Sequence, residues 1–223
     1  MRGQALPAMT DERAVAHKQR PVVVKLGGSV VRSPELPAWL DAVASSPLPI
    51  VIVPGGGALA DEVRAAQASL GFGDGAAHRM ALLAMDQLAW AVAGLRAGFE
   101  VGDTEEALRA SLEHGRVAVW APYSLVADRS DVPQSWTVTS DSLALWLARR
   151  LGAECCYVIK SIDRRGATFG AGQLARDGVV DEAFPVLFKD VSFPVFLLGR
   201  GDQEAFAACL SGETCRPCGA TID

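Results

Sequence analysis

Lysine is scarce in this sequence. Of its 21 basic residues, 17 are arginine and only four are lysine: Lys18, Lys25, Lys160 and Lys189. Basic residues are also outnumbered, 21 against 26 acidic, and the net charge is −5. That removes the broad electrostatic case for nucleic acid or an anionic membrane surface as partner. No apolar run approaches the roughly 20 residues that a membrane-spanning helix needs. The first twenty residues, "MRGQALPAMTDERAVAHKQR", lack the apolar core of a signal peptide. They read as a flexible leader over 1–20, and the chain as cytoplasmic.

Five cysteines are an odd number for a disulfide framework. Cys155 and Cys156 lie within an apolar stretch and read as buried thiols. Cys215 and Cys218 form a C-x-x-C pair with no second pair and no nearby histidine. That is half a zinc site or a plain terminal turn, and no metal ligands are assigned. There is no internal repeat and no low-complexity block. No G-x-x-x-x-G-K-[ST] loop occurs, and no G-x-G-x-x-G with an acidic residue at the right distance, so the two commonest nucleotide fingerprints are missing.

What remains is a chain of which half is hydrophobic, long enough to bury a sizeable core. Short apolar runs at 21–26, 49–53, 117–120, 154–160 and 194–198 read as strands. Helical patterns at 58–69, 75–97, 104–113, 140–151, 182–188 and 202–210 lie between or beyond them. Such alternation predicts an α/β fold with a mostly parallel sheet covered by helices on both faces. A single domain over 21–223 is expected. The polar stretch "DRSDVPQSWTVTSD" marks a seam between an N-terminal lobe of about 21–130 and a C-terminal lobe of about 131–223.

Within this frame the rare lysines are placed unusually. "VVVKLGGSVV" runs from Val22 to Val31 and puts Lys25 at the end of an apolar strand, followed by Gly27 and Gly28. Ligands gather at the carboxyl ends of parallel strands. Glycines let a backbone approach a ligand and turn its N–H groups toward it. Amides plus an ammonium make an anion site; a tight turn with an exposed lysine is the other possibility. "IVIVPGGGALADEV" repeats the design with Gly55, Gly56 and Gly57 before a helix. Two such loops suggest two anionic groups side by side.

In "WTVTSDSLALWLARRLGA", Thr139 or Ser140 can cap a helix whose first turn holds Asp141. Asp141 is either a dipole-favoured first-turn acid or part of the site. "CCYVIKSID" ends a strand with Lys160, Ser161 and Asp163. Two of four lysines thus close strands at the expected ligand edge, where a compact charge on a flexible stem suits a moving phosphoryl group. On the helix after the second glycine loop, His78, Leu82 and Asp86 share one stripe. His78 can touch a phosphate and Asp86 can pair with an amine, unless the stripe is only a capped or solvated face.

The stretches "VVKLGGSV", "IVIVPGGGALADEVR", "TSDSLALWLARRLGA" and "VIKSID" occur in one order over residues 22 to 163. Together they resemble the amino acid kinase superfamily. The resemblance implies a three-layer αβα sandwich around an eight-stranded, mainly parallel sheet. It implies ATP in the C-terminal half, Mg²⁺ carried on its phosphates, a small-molecule phosphate acceptor in the N-terminal half, and a homo-oligomer. Carried onto this chain, Lys25 bridges the transferring group and Gly27 and Gly28 hold the donor phosphates. Gly55 to Gly57 hold the acceptor's acidic group, Asp141 orients the lysines, and Lys160, with Ser161 and Asp163, lies beside ATP.

"GFGDGAAHRMALLAMDQLAWAVAGL" and "VIKSID" look most like a branch of methanofuran biosynthesis that phosphorylates an aminomethylfuran phosphate to its diphosphate. Kinases for nucleotide, carbamate or isoprenoid phosphate acceptors, and non-catalytic relatives that bind nucleotide or oxyanion, are the alternatives. The sequence departs from the superfamily's pattern after Asp163, where "SIDRRG" has arginines. The lysine-bearing segment many members carry further on is not recognisable, leaving Lys189 as a substitute.

Overall fold

The computed structural model describes residues 19–212 and 218–223. Residues 1–18 of the expected leader lie outside the described residues, and so does Cys215. Eight strands form one sheet: β1 (Val22–Leu26), β2 (Ile50–Pro54), β3 (Phe99–Gly102), β4 (Val117–Trp120), β5 (Cys155–Ile159), β6 (Thr168–Phe169), β7 (Val195–Leu198) and β8 (Ala220–Ile222). Their order across the sheet is β3-β4-β2-β1-β5-β7-β8-β6. Neighbours run parallel except β7 and β8. The helices are α1 (Leu36–Ala44), α2 (Gly57–Leu70), α3 (Asp74–Gly94), α4 (Glu105–Glu113), α5 (Tyr123–Val126), α6 (Ser140–Leu151), α7 (Ala171–Arg176), α8 (Phe184–Phe188) and α9 (Gln203–Leu210). This is the expected three-layer αβα sandwich.

The unbroken apolar runs follow from burial on both faces, because successive strand residues point to opposite sides. Val22, Val24 and Leu26 of β1 pack with Ile50 and Ile52 of β2 under Trp39 of α1 and Phe206 of α9. Val23, Val51, Val53, Cys156 and Val158 pack on the other face with Leu143 and Leu147 of α6. The two cores are therefore layers, one on each side of the sheet, and each spans both expected lobes. Cys156 is buried as expected, whereas Cys155 is only partly so.

Helix ends obey local chemistry in places. Thr104 caps α4, accepting from Ala107 N–H at 3.1 Å, with Glu105 and Glu106 in the first turn. Gly152 closes α6 in the left-handed conformation at φ 66°. The N-terminus of α6 differs from expectation. Thr139 holds the N-cap position, but its side chain makes no capping bond to the helix.

Candidate active site

Strand parity decides which way Lys25 points. It shares a face with Val23, and register sets it beside Val53 of β2 and Val158 of β5. On β5 the same face carries Cys156 and Val158, and Lys160 is its next position. Both lysines thus stand at the carboxyl ends of adjacent central strands, on the side covered by α6. The first turn of α6 meets them with Asp141. Its Oδ1 is ion-paired with Lys25 Nζ, and its Oδ2 with Lys160 Nζ at 2.7 Å. Lys25 is 2% exposed and Asp141 4%.

Burial pulls the Lys25 ammonium down to about 8; Asp141 opposes the shift and Lys160 adds to it. Burial also works against the Asp141 carboxylate. The Lys25 and Lys160 ammoniums outweigh that cost and hold it below its ordinary value. At neutral pH the triad therefore carries two positive charges and one negative. Its net charge faces the glycine loops.

The two glycine loops touch. A Cβ on Gly28 would sit 2.6 Å from the Gly57 nitrogen, and one on Gly55 would sit 2.6 Å from the Gly28 nitrogen. Gly57 also has φ 51°, a backbone that L side chains rarely adopt. The glycines thus build one shared cradle rather than two separate ones. Their amides divide differently from expectation. Gly27 N–H donates to Ile159 O at 2.9 Å and Gly55 N–H to Leu26 O at 2.8 Å, so these two are committed to the sheet edge. Among the described residues, the amides of Gly28, Gly56 and Gly57 donate no such bond. The last two open α2, where unpaired amides and the helix dipole favour an anion.

A cavity of about 240 Å³ lies over this cradle. Lys25, Gly28, Gly55, Gly56, Gly57, His78, Asp141 and Lys160 line it, so most of the expected residues converge. His78 is buried and its Nε2 has no partner among the described residues. Burial lowers its pKa and neighbouring Arg79 adds to the shift, so the ring is neutral at pH 7.

Other expected residues are not brought in. The Asp86 carboxylate turns away and accepts Tyr123 N–H at 3.1 Å, at the start of α5. Asp163 is exposed, 3.8 Å from Arg200. Ser161 does not line the cavity, although its buried Oγ has no partner among the described residues. Lys189 is exposed at the end of α8 and contributes nothing to the cavity.

Three lining residues escaped the sequence reading: Asp61, Arg64 and Trp136. The Arg64 guanidinium lies 4.0 Å over the Trp136 ring and 3.5 Å from Asp61. Trp136 Nε1 donates to Gln67 Oε1 at 2.7 Å, and Gln67 Nε2 donates to Asp74 at 2.8 Å, which fixes the indole. Asp61 and Arg64 follow Gly57 by four and seven residues, one face of α2, and that spacing is a signal the sequence did carry.

A larger cavity of about 580 Å³ opens at the amino ends of the strands. Its arginines are engaged: Arg20 with the Gly152 and Ala153 carbonyls, Arg109 with those of Arg150 and Leu151, and Arg116 with Glu100. Charge chemistry gathers at the opposite, carboxyl end.

Comparison with known proteins agrees with this geometry. The profile of the amino acid kinase family matches residues 20–164. The [5-(aminomethyl)furan-3-yl]methyl phosphate kinase of Methanocaldococcus jannaschii is 28% identical over 203 residues, covering 86% of this chain and 93% of that protein. The crystal structure of uridylate kinase from Archaeoglobus fulgidus superposes with a TM-score of 0.67 at 17% identity, over 91% of this chain and 99% of that one. Aspartate kinase from Synechocystis gives 0.60 at 15% identity, over 91% of this chain and 39% of the larger enzyme. The two structural likenesses concern the fold.

Proposed function

The chain belongs to the amino acid kinase family, and on that premise we propose that it moves the γ-phosphoryl group of ATP onto a small phosphate monoester to give a diphosphate. The acceptor placed first is [5-(aminomethyl)furan-3-yl]methyl phosphate, after the relative from M. jannaschii. The observation that carries this reading is the buried Lys25–Asp141–Lys160 triad facing a cradle of glycine amides. It is a device for bringing two anions together, and it offers no general base.

None is needed, because a phosphate oxygen is already a nucleophile. In the step, an acceptor oxygen forms a bond to the γ-phosphorus as the bond from that phosphorus to the β,γ-bridging oxygen breaks. ADP leaves with the electron pair. Lys25 and Lys160 balance charge on the equatorial oxygens, and Asp141 fixes where their ammoniums stand. The amides of Gly28, Gly56 and Gly57 hold the phosphates close. Asp141 is occupied by two lysines, so a Mg²⁺ would be held chiefly by the ATP phosphates, whose charge it would neutralise.

Arg64, the neutral His78 and the face of Trp136 read the acceptor, with Asp61 the carboxylate available to an acceptor amine. The acceptor then occupies the lobe of about 21–130, and ATP the loops after β5 and β7. The same reading includes a homo-oligomer. ADP release should be measured with MgATP against a panel holding the aminomethylfuran phosphate, UMP and other monoesters. Turnover of the furan phosphate is the expected result. Preference for UMP would replace the acceptor, and no turnover of any monoester would replace the enzyme with a binding protein.

A further inference from the structure

The first turn of α6 anchors the charge of the site, yet its own N-cap residue does not hold it. The carboxylate of Asp181, from the segment before α8, does so instead. Its Oδ2 accepts from Thr139 N–H at 2.8 Å, Thr139 Oγ1 at 2.9 Å and Ser142 N–H at 3.0 Å. Its Oδ1 accepts from Ser142 Oγ and from Phe184 N–H at 3.0 Å. One carboxylate therefore ties the starts of α6 and α8 together. An ordinary cap needs one oxygen and one or two amides. Five donors spread over both oxygens fix the turn in rotation as well as position.

This arrangement carries a cost. Burial disfavours the charged form of Asp181, and the charge of Asp141 adds to that, against the hydrogen bonds of Ser142 and Thr139. A hydroxyl or amide cap at Thr139 itself would stabilise α6 without setting a second carboxylate near Asp141. The two donors that surround Asp141 in sequence, Thr139 and Ser142, are the two that Asp181 grips.

We infer that Asp181 is a positioning residue for phosphoryl transfer: by clamping Thr139 and Ser142 on either side of Asp141, it sets the place at which Asp141 holds Lys25 and Lys160. The inference rests on the reading that this triad is catalytic. Asp181 does not line the cavity, pairs with neither lysine, and acts only through Asp141.

The scarcity of lysine supplies the test. With four lysines in the chain, a ¹³C-lysine-labelled sample gives four Cε signals, and single lysine-to-arginine variants assign them. Lys25 faces Asp141, Lys160 and Cys156, so its titration midpoint reports how near Asp141 stands. Asp141→Asn should lower that midpoint, because the attracting charge is gone. Asp181→Asn should lower it too, by about half a unit or more. It should also cut turnover at least about tenfold, with KM for ATP within about twofold. Asp181→Glu, which keeps the charge, should recover part of both.

If Asp181→Asn only lowers Tm and leaves the Lys25 midpoint and turnover in place, Asp181 is a structural cap and the inference fails. If Asp141→Asn itself leaves the Lys25 midpoint unchanged, the reading of the triad fails instead. Should Asp181→Asn not fold, Ser142→Ala removes one donor and is judged on the same two quantities.

Discussion

A charged residue inside an apolar strand is the feature on which this site turns. Lys25 is buried, and burial sets its native pKa at about 8 against an ordinary value of 10.5. Lys25→Ala should lower turnover at least about a hundredfold while the protein still folds, because charge balance in the transition state is lost. Near-normal turnover in the purified variant would remove Lys25 from the mechanism. Turnover of the wild type should decline as pH rises through about 8. Stability should move the other way. Between pH 8 and 10.5 the unfolded chain holds a proton at Lys25 that the native chain has released, so this residue's contribution rises with pH. Below about 8 both states are protonated and the contribution is flat. Urea midpoints at pH 8 and pH 10 check the sign, and Lys25→Met should lack that rise. Lys25, Lys160 and Asp141 were legible because each interrupts an apolar pattern. Asp181 was not, since its link to α6 spans about forty residues, and its one local partner, Phe184 N–H, marks it only as a cap of α8.

At the scale of elements, the glycine loops show how two motifs far apart in sequence form one surface. Each was legible as a glycine loop between a strand and a helix. Their contact with one another was not, because it depends on the pairing of β1 with β2. A methyl on Gly28 meets the backbone of Gly57 at 2.6 Å, and neither atom can give way. Gly28→Ala should therefore weaken ATP and acceptor together. Calorimetric titration with a non-hydrolysable ATP analogue and with the furan phosphate checks this; loss of only one ligand would show two independent loops. The expected strands and helices are all present with ends shifted by a few residues. The missed ones have physical reasons. β6 has two residues and β8 three, too short for a periodic signal. β3 lies at one edge of the sheet and carries an exposed Glu100. In α1, Pro37 obscures a helix that its early position permits.

For the whole molecule, α3 leaves a face unused by the core. Met80, Leu83 and Trp90 are exposed at helical spacing, Trp90 by 68%. In the proposed homo-oligomer this stripe is the natural contact, since large apolar side chains in a row favour burial. Light scattering should find a mass above 23.5 kDa for the wild type, and Trp90→Glu should reduce it. A wild-type mass of one chain would dismiss the contact. Among the described residues no helix is long and apolar enough to cross a membrane. The layered fold was legible from alternation, but the strand order was not. Local pattern says which residues face a core and is silent on which strand lies beside which.

That order has a consequence for how the protein is made. β1 leaves the ribosome early, with Lys25 near its carboxyl end, while Asp141 and Lys160 belong to the second half of the chain. Until they emerge, the face of β1 that carries Val23 and Lys25 lacks the cover of α6, and its apolar side chains stay open to water beside a solvated ammonium. The N-terminal portion thus lacks part of one of its two core layers until the second half of the chain is made. A fragment ending near residue 130 should remain unfolded by circular dichroism; native-like structure in it would show that α6 is not needed to close the sheet. The helix that carries Asp141 into the site is also the one that completes this layer, so closing the core and assembling the charge cluster are one event.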